Sequence, residues 1–468
     1  MKSFANLIFI MTSTIFFGQN VSDSLSIDDV LNQVIINTDR IKTIEANYQI
    51  GNINFDNYKK SLLPQVILTA GVPYQRAIQE VVQFNGSTSL IERNFLSPTL
   101  NFTTKQIVPF TGGELTLTNS IAMNNDLQNK ITNYSSNWVD LTYSQSINGF
   151  NQHRWNKQKV IYKRKLDEIN YKKELAKLKT EAAQLFFQCY IFDKKIELTK
   201  SNILKTESLL SVISEKKKLS RALGIEEDQI NITINQLKQK LISDQFEHSM
   251  LIKKLENLLQ VDIKNPHFKS VKDFSISINK EKLISNFLKY NFENESTLQL
   301  LLADEKIDKA KKDGAINFFI QVGIGLNSSA SQFEKLYNKP IQKQAFTVGA
   351  YIPILSWGIL GNNSKIAKLE KENLERDLKL NKFSIVQQAE NLYDYIENID
   401  NQIRLAKEEY YLQLKTNEVL ANLLTYEKKT AYDYKNQLFE YEKSHLNYIE
   451  LLTNKYNLKI KLEEIFLE

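Results

Sequence analysis

Residues 150–223 contain neither Pro nor Gly. Apolar residues recur there every three or four positions, at Leu166, Ile169, Leu175, Leu178, Leu185, Ile196, Ile203, Leu210 and Ile213. That spacing is the period of a helix with one buried stripe. A continuous helix of this length reaches roughly 100 Å at 1.5 Å per residue. A compact domain has no use for such an element, so the helix must span something. Gly224 ends the stretch, and Ile225-Glu226-Glu227-Asp228 opens a return helix with acids in its first turn, where the helix dipole favours them. The return helix is expected over about 226–261.

A second pattern precedes the helix. Val66, Leu68, Ala70 and Val72 alternate with Ile67, Thr69 and Gly71, which has the period of a strand. Further alternations begin at Leu100, Leu115 and Val139, the last with Asp140, Thr142, Ser144 and Ser146 on the opposite face. One apolar and one hydroxyl-rich face suits a strand between lipid and water. Residues 75–97 read as a loop, and Pro109-Phe110-Thr111-Gly112-Gly113 reads as a turn.

The order then repeats. Ser26 with Asp29 makes the first helix start, in a capping-box arrangement, and Asn279 makes the second. The cleanest alternation in the chain runs from Ile316 to Leu326, and Phe346 to Ile352 forms another strand. Beyond Gly361 the chain again lacks Pro and Gly. The expected organisation is therefore a first repeat over 19–263, a connector over 264–278 and a second repeat over 279–468. The first holds strands over about 65–147, an extra hairpin over about 100–122 and a long helix over about 150–223. The second holds strands over about 316–327 and 345–353, a long helix over about 360–427 and a return helix over about 431–466.

Composition narrows the function. The net charge of +6 comes from 60 basic and 54 acidic residues interspersed along helix faces, which gives nucleic-acid binding little support. The four His residues show no metal-ligand spacing, and no pairing of catalytic side chains suggests a hydrolase. Cys189 is the only cysteine and is expected to be a buried thiol, and the surrounding Phe186 to Phe192 to be helix packing. Met1-Lys2 followed by an apolar run to Phe17 reads as a signal peptide ending near Gly18. No other apolar stretch is long enough for a membrane-spanning helix, so any crossing would be made by strands, and too few strands are present for one chain to close a barrel. Trp138, Tyr143, Trp155 and Trp357 lie near expected strand ends and suggest an interfacial aromatic girdle.

In combination these pieces resemble the TolC family of outer-membrane efflux proteins. SLSIDDVLNQVIINTDRIKTIEANYQIG resembles the family's first helix, and KKSLLPQVILTAGV the approach to its first strand. VDLTYSQSINGFNQHRWNKQK and FTVGAYIPILSWGILGNNSK both resemble its junction between strand and long helix. Pro353 to Gly358 keeps the junction pattern, whereas Ser146 replaces the usual Pro in the first repeat.

The resemblance implies a mixed α and β chain that trimerises into a transmembrane β-barrel continuous with a periplasmic α-helical barrel of coiled-coil-like helices. It implies a non-enzymatic exit duct in the outer membrane, serving a periplasmic adaptor (membrane fusion protein) and an inner-membrane RND or ABC pump, with no cofactor. The family's periplasmic aperture would be lined here by Asp433, with Asn436 where a second acid is usual, by Lys429 as a gate-forming base, and by Asp228 of the first reversal. Gly224, Glu226, Glu227 and Glu427 would form the reversal tip that meets the adaptor. Each acid alone also suits a plain helix start. A soluble periplasmic coiled-coil scaffold or adaptor is the competing reading, and the exposed apolar face of Ile316 to Leu326 argues against it.

Overall fold

The computed structural model describes residues 24–466, apart from 37, 85, 219–223, 264–265, 271–273 and 427–428. The signal segment expected over 1–18, Glu427 and parts of the connector lie outside these residues. In chain order come β1 (Ser24–Leu25), α1 (Ile27–Ile36), α2 (Asp39–Ser61), β2 (Gln65–Gly71), β3 (Tyr74–Val82), β4 (Thr88–Leu96), β5 (Thr99–Val108), β6 (Gly113–Asp126) and β7 (Ile131–Ser146). Then follow α3 (Gln152–Lys218), α4 (Gly224–Leu259), β8 (His267–Phe268), α5 (Lys280–Leu288) and α6 (Asn294–Asp313), with one π-helical turn between the last two. The chain ends with β9 (Asn317–Ala330), β10 (Ile341–Tyr351), α7 (Ile359–Thr425) and α8 (Ala431–Phe466). The long helices α3 and α7 have 67 residues each, and the return helices α4 and α8 have 36 each. Equal lengths at equivalent places mark an internal repeat. No described helix is long and apolar enough to cross a membrane.

The chain divides into two compact units. The helical unit takes residues 1–48, 169–290 and 385–468. Its main core joins α1, α3, α4 and α8 through Val30, Val34, Phe186, Phe187, Leu255, Leu259, Tyr456 and their neighbours. Phe186 is fully buried, edge-to-face with Phe187 and with Phe268, both at 5.4 Å. The aromatic run around Cys189 is thus helix packing, and burial pushes the Cys189 thiol up to about 12. The connector is held by a two-residue parallel pairing of β1 with β8. The Ser26 hydroxyl and N–H both donate to Asp29 Oδ2, at 2.6 and 3.0 Å, and the Asp29 N–H donates back to Ser26 Oγ. This capping box starts α1, and it holds the Asp29 carboxyl below the usual carboxylate range.

The sheet unit takes residues 49–168 and 291–384. Its strands are antiparallel in the order β10-β9-β7-β6-β5-β2. The expected hairpin over 100–122 corresponds to β5 and β6, and both strands are members of this sheet. Residues 75–97, expected to be a loop, are instead the antiparallel pair β3 and β4. Its register continues that of β2 with β5 past Pro73 and Pro98, where the Ser97 N–H still donates to the Pro73 carbonyl. The two pairs are therefore one long hairpin. Only its base lies within the sheet, because β4 meets β6 just at Phe95 and Leu96.

Register assigns the faces. Val66, Leu68, Phe102, Leu117, Leu141, Val322, Ile324, Phe346 and Val348 share one face. It stays exposed: Ile324 is 55% exposed and Phe346 71%. Thr103, Thr116, Thr118, Asp140, Thr142, Ser144, Gln321 and Lys343 share the other. Glycines on this second face make room for large neighbours. A Cβ on Gly349 would stand 2.2 Å from the Phe319 ring across the β9–β10 pair.

Tight geometry joins sheet to helices. Gly112 (φ +78) turns β5 into β6, a conformation that glycine adopts without steric cost. At the first junction Asn151 Oδ1 accepts from the N–H groups of His153 and Arg154 and caps α3. At the second, Trp357 (φ 51) and Gly358 (φ 81) are consecutive left-handed residues before α7. The Trp138 ring lies 5.1 Å from that of Tyr337, tilted at 44°, and its indole donates to Ser328, while Tyr134 meets Phe333 edge-on at 5.6 Å beside the β9–β10 loop. Trp155 belongs to α3, and its indole donates to Asp308 of α6 at 3.0 Å.

Candidate aperture at the helix reversals

The ends of α3 and α7 and the starts of α4 and α8 share one apolar cluster. Leu209 and Ile213, Ile230 and Ile234, Leu424, and Ala431, Tyr434 and Leu438 contribute from the four helices in turn. The amphipathic stripes of the two helical hairpins thus converge beside both reversals, which carries the sequence-expected residues into one region. Gly224 is the first residue of α4. Glu226 and Glu227 stand in its first turn, and Asp228 is exposed one step before the turn that buries Ile230. Lys429 and Asn436 are exposed on either side of Asp433.

Asp433 has a defined local task. The Thr430 N–H and hydroxyl both donate to its Oδ2, at 3.1 and 3.0 Å, and its own N–H donates to Thr430 Oγ1 at 3.2 Å. This is the same box as Ser26 with Asp29, and it starts α8. The Thr430 N–H bond, then its hydroxyl, and least the Lys429 charge hold the Asp433 carboxyl below its ordinary range. The carboxylate is therefore ionised at neutral pH and held at the surface, with Oδ2 committed to the cap. Thr430 was missed by the sequence reading, although the spacing Thr430-x-x-Asp433 was there to find it.

Further from the reversals the helical unit buries polar groups that the sequence did not flag. Lys240 of α4 pairs with Glu442 of α8, whose side chain is 4% exposed. Burial pushes the neighbouring Asp244 carboxyl up. His445 stacks on Tyr410 at 4.5 Å, and burial pushes its imidazole down, as it does that of His248. Thr199, Asn202 and Thr206 are buried along α3. Among the described residues no group of His, Cys, Asp and Glu is placed to hold a metal.

No family model matches this chain, and no curated protein matches it by sequence. Solved structures do. The outer-membrane protein VceC of Vibrio cholerae is 8% identical, with a TM-score of 0.66 over 94% of this chain and 95% of its own. The Campylobacter jejuni CmeC outer-membrane channel is 13% identical, with a TM-score of 0.65 over 94% and 85%. CusC, whose structures concern transmembrane channel formation, is 12% identical, with a TM-score of 0.65 over 94% and 91%. The two-repeat order of helices and strands, the half-apolar sheet and the paired reversals thus belong to a known architecture, and the chain has the fold of the TolC-like outer-membrane channels.

Proposed function

We propose that the chain is an outer-membrane exit duct of a tripartite efflux or type I secretion system. The observation that carries this reading is the sheet. One face is predominantly apolar and exposed, the other carries mostly hydroxyl, amide and charged groups, and the outer sides of β2 and β10 have no strand partner among the described residues. Open strand edges are not tolerated in lipid, so the sheet closes by joining copies of itself, and three copies make the barrel. The apolar face meets outer-membrane lipid and the polar face lines the lumen. The 67-residue helices, each about 100 Å long, cross the periplasm, and their reversals meet the periplasmic adaptor, which connects the duct to an inner-membrane RND or ABC pump.

On this reading Asp433, Lys429 and Asp228 set the field at the periplasmic aperture, because symmetric copies of a carboxylate around a narrow axis concentrate negative potential. Gly224, Glu226 and Glu227 form the adaptor-facing tip. Single-channel recording from the purified, folded trimer tests both parts. Stepwise conductance is expected, with lower cation preference in Asp433→Asn, which keeps the capping oxygen but removes the charge. Absence of conductance from folded trimers would overturn the duct reading. Unchanged ion preference in Asp433→Asn would remove Asp433 from the aperture and leave it as a cap.

A further inference from the structure

Charged residues on the polar face of the sheet find partners within the wall. Lys105 of β5 lies 3.4 Å from Glu114 of β6. Asp126, at the end of β6, is held by the N–H groups of Gln128 and Asn129 in the following turn. The remaining pair, Asp140 with Lys343, is made differently. Asp140 is on β7 and Lys343 on β10, and β9 runs between them. The residue opposite both is Gly325. A Cβ there would stand 2.6 Å from the Val139 carbonyl oxygen, 3.1 Å from Asp140 Cα and 3.4 Å from Asp140 Oδ1. No side chain fits at that place. Gly323, the next residue on this face, is also bare, and its missing side chain would touch Thr142 and Ala345. The glycines leave a trench across β9, and the Lys343 ammonium reaches through it to the Asp140 carboxylate. Asp140 is 14% exposed at its side chain and Lys343 39%, so the lysine covers the acid.

We propose that the Asp140–Lys343 pair sets the ion selectivity of the barrel wall. Three copies of it neutralise the lumen at that level, so cargo of either charge passes the strands without a barrier. The inference rests on the duct reading, in which the polar face lines the lumen. Removing one member leaves three like charges around the lumen. Their summed potential, screened by salt, corresponds to a change in cation-to-anion permeability of roughly twofold to tenfold, larger at low ionic strength.

The test is the reversal potential of folded trimers in planar bilayers under a KCl gradient. The wild-type reversal potential, whatever the aperture contributes to it, is the reference, because the neutral pair adds no selectivity of its own. Lys343→Met should shift permeability toward cations and Asp140→Asn toward anions, and the double substitution should restore the wild-type value. Should either single variant fail to assemble, Lys343→Cys supplies a second measurement, because Cys189 is buried. The new thiol should then be modified by water-soluble reagents of both charges, the cationic one faster because Asp140 is uncovered. Channels that conduct normally yet keep the wild-type reversal potential in both variants would overturn the proposal and leave the duct standing. Folded trimers without any conductance would instead overturn the duct reading beneath it.

Discussion

The helical unit and the sheet unit treat the same side chains in opposite ways. In the helical unit a set of large apolar residues is buried: Phe186, Phe187, Leu255 and Tyr434 pack among four helices, although others such as Leu204, Phe246 and Leu412 stay exposed. In the sheet unit Leu68, Ile324, Phe346 and Val348 stay exposed along one face. An exposed apolar surface of that extent is costly in water, and on the duct reading the two units serve two solvents. Hydrophobic burial holds the helical unit together. The sheet is held chiefly by its ladder of backbone hydrogen bonds, with its apolar face left for another phase.

Core truncation should give the largest separation of the two. Phe186→Ala is expected to cost about 4 kcal/mol, the transfer free energy of the ring plus the cavity it leaves, read as a lower midpoint of the helical circular-dichroism melt. Phe346→Ala should leave that midpoint unchanged. A smaller and more diagnostic effect comes from charge. Ile324→Arg should cost about 3 kcal/mol when the protein folds into phospholipid vesicles, the cost of a cation against lipid. At a water-facing site the same change would cost less than about 0.5 kcal/mol. A null result in vesicles would assign the sheet face to water and erase the contrast between the units.

The smallest effect is a pH dependence that two histidines of the helical unit produce. His248 and His445 are depressed by burial, so below the unfolded value of about 6.5 the unfolded chain takes up protons that the folded chain refuses. Stability is therefore present above that value and falls as the pH drops through it toward the folded values. His445 faces Tyr410 and lies within the fields of Lys194 and Glu197, with Tyr441 on its own helix. Asp244, raised by burial, works in the opposite sense at lower pH. His445→Phe, which keeps the stacking on Tyr410, should flatten the acid limb of the melting-temperature profile. An unchanged limb would shift the effect to His248.

Much of this architecture was legible, for identifiable reasons. Helices of 67 residues announce themselves through stretches without Pro or Gly, and β9 through strict alternation from Ile316 to Leu326. Residues 75–97 were misread because Arg76, Glu80, Glu92 and Asn94 interrupt the apolar face on which a strand assignment relies. That hairpin is defined by cross-strand pairing, including Arg76 with Glu92, which a single strand's pattern does not display. At the reversals the acids were visible, but the capping role of Asp433 depended on noticing Thr430 three residues earlier. Lys240 with Glu442 and Asp140 with Lys343 join residues some 200 positions apart, and no local pattern signals such pairs.

The unbroken register from β2–β5 into β3–β4 bears on how the edge of the sheet assembles. Without β3 and β4, bringing β2 to β5 would mean closing a loop over residues 72–98. With them, the first closure spans only residues 83–87, and pairing then zips toward the base one residue pair at a time. The shorter loop lowers the entropic cost of that first contact by about 1.5 kcal/mol. A distant pairing thus becomes a local one, which speeds folding. The hairpin above the sheet is, in kinetic terms, the slider of a zip whose teeth are the edge strand itself.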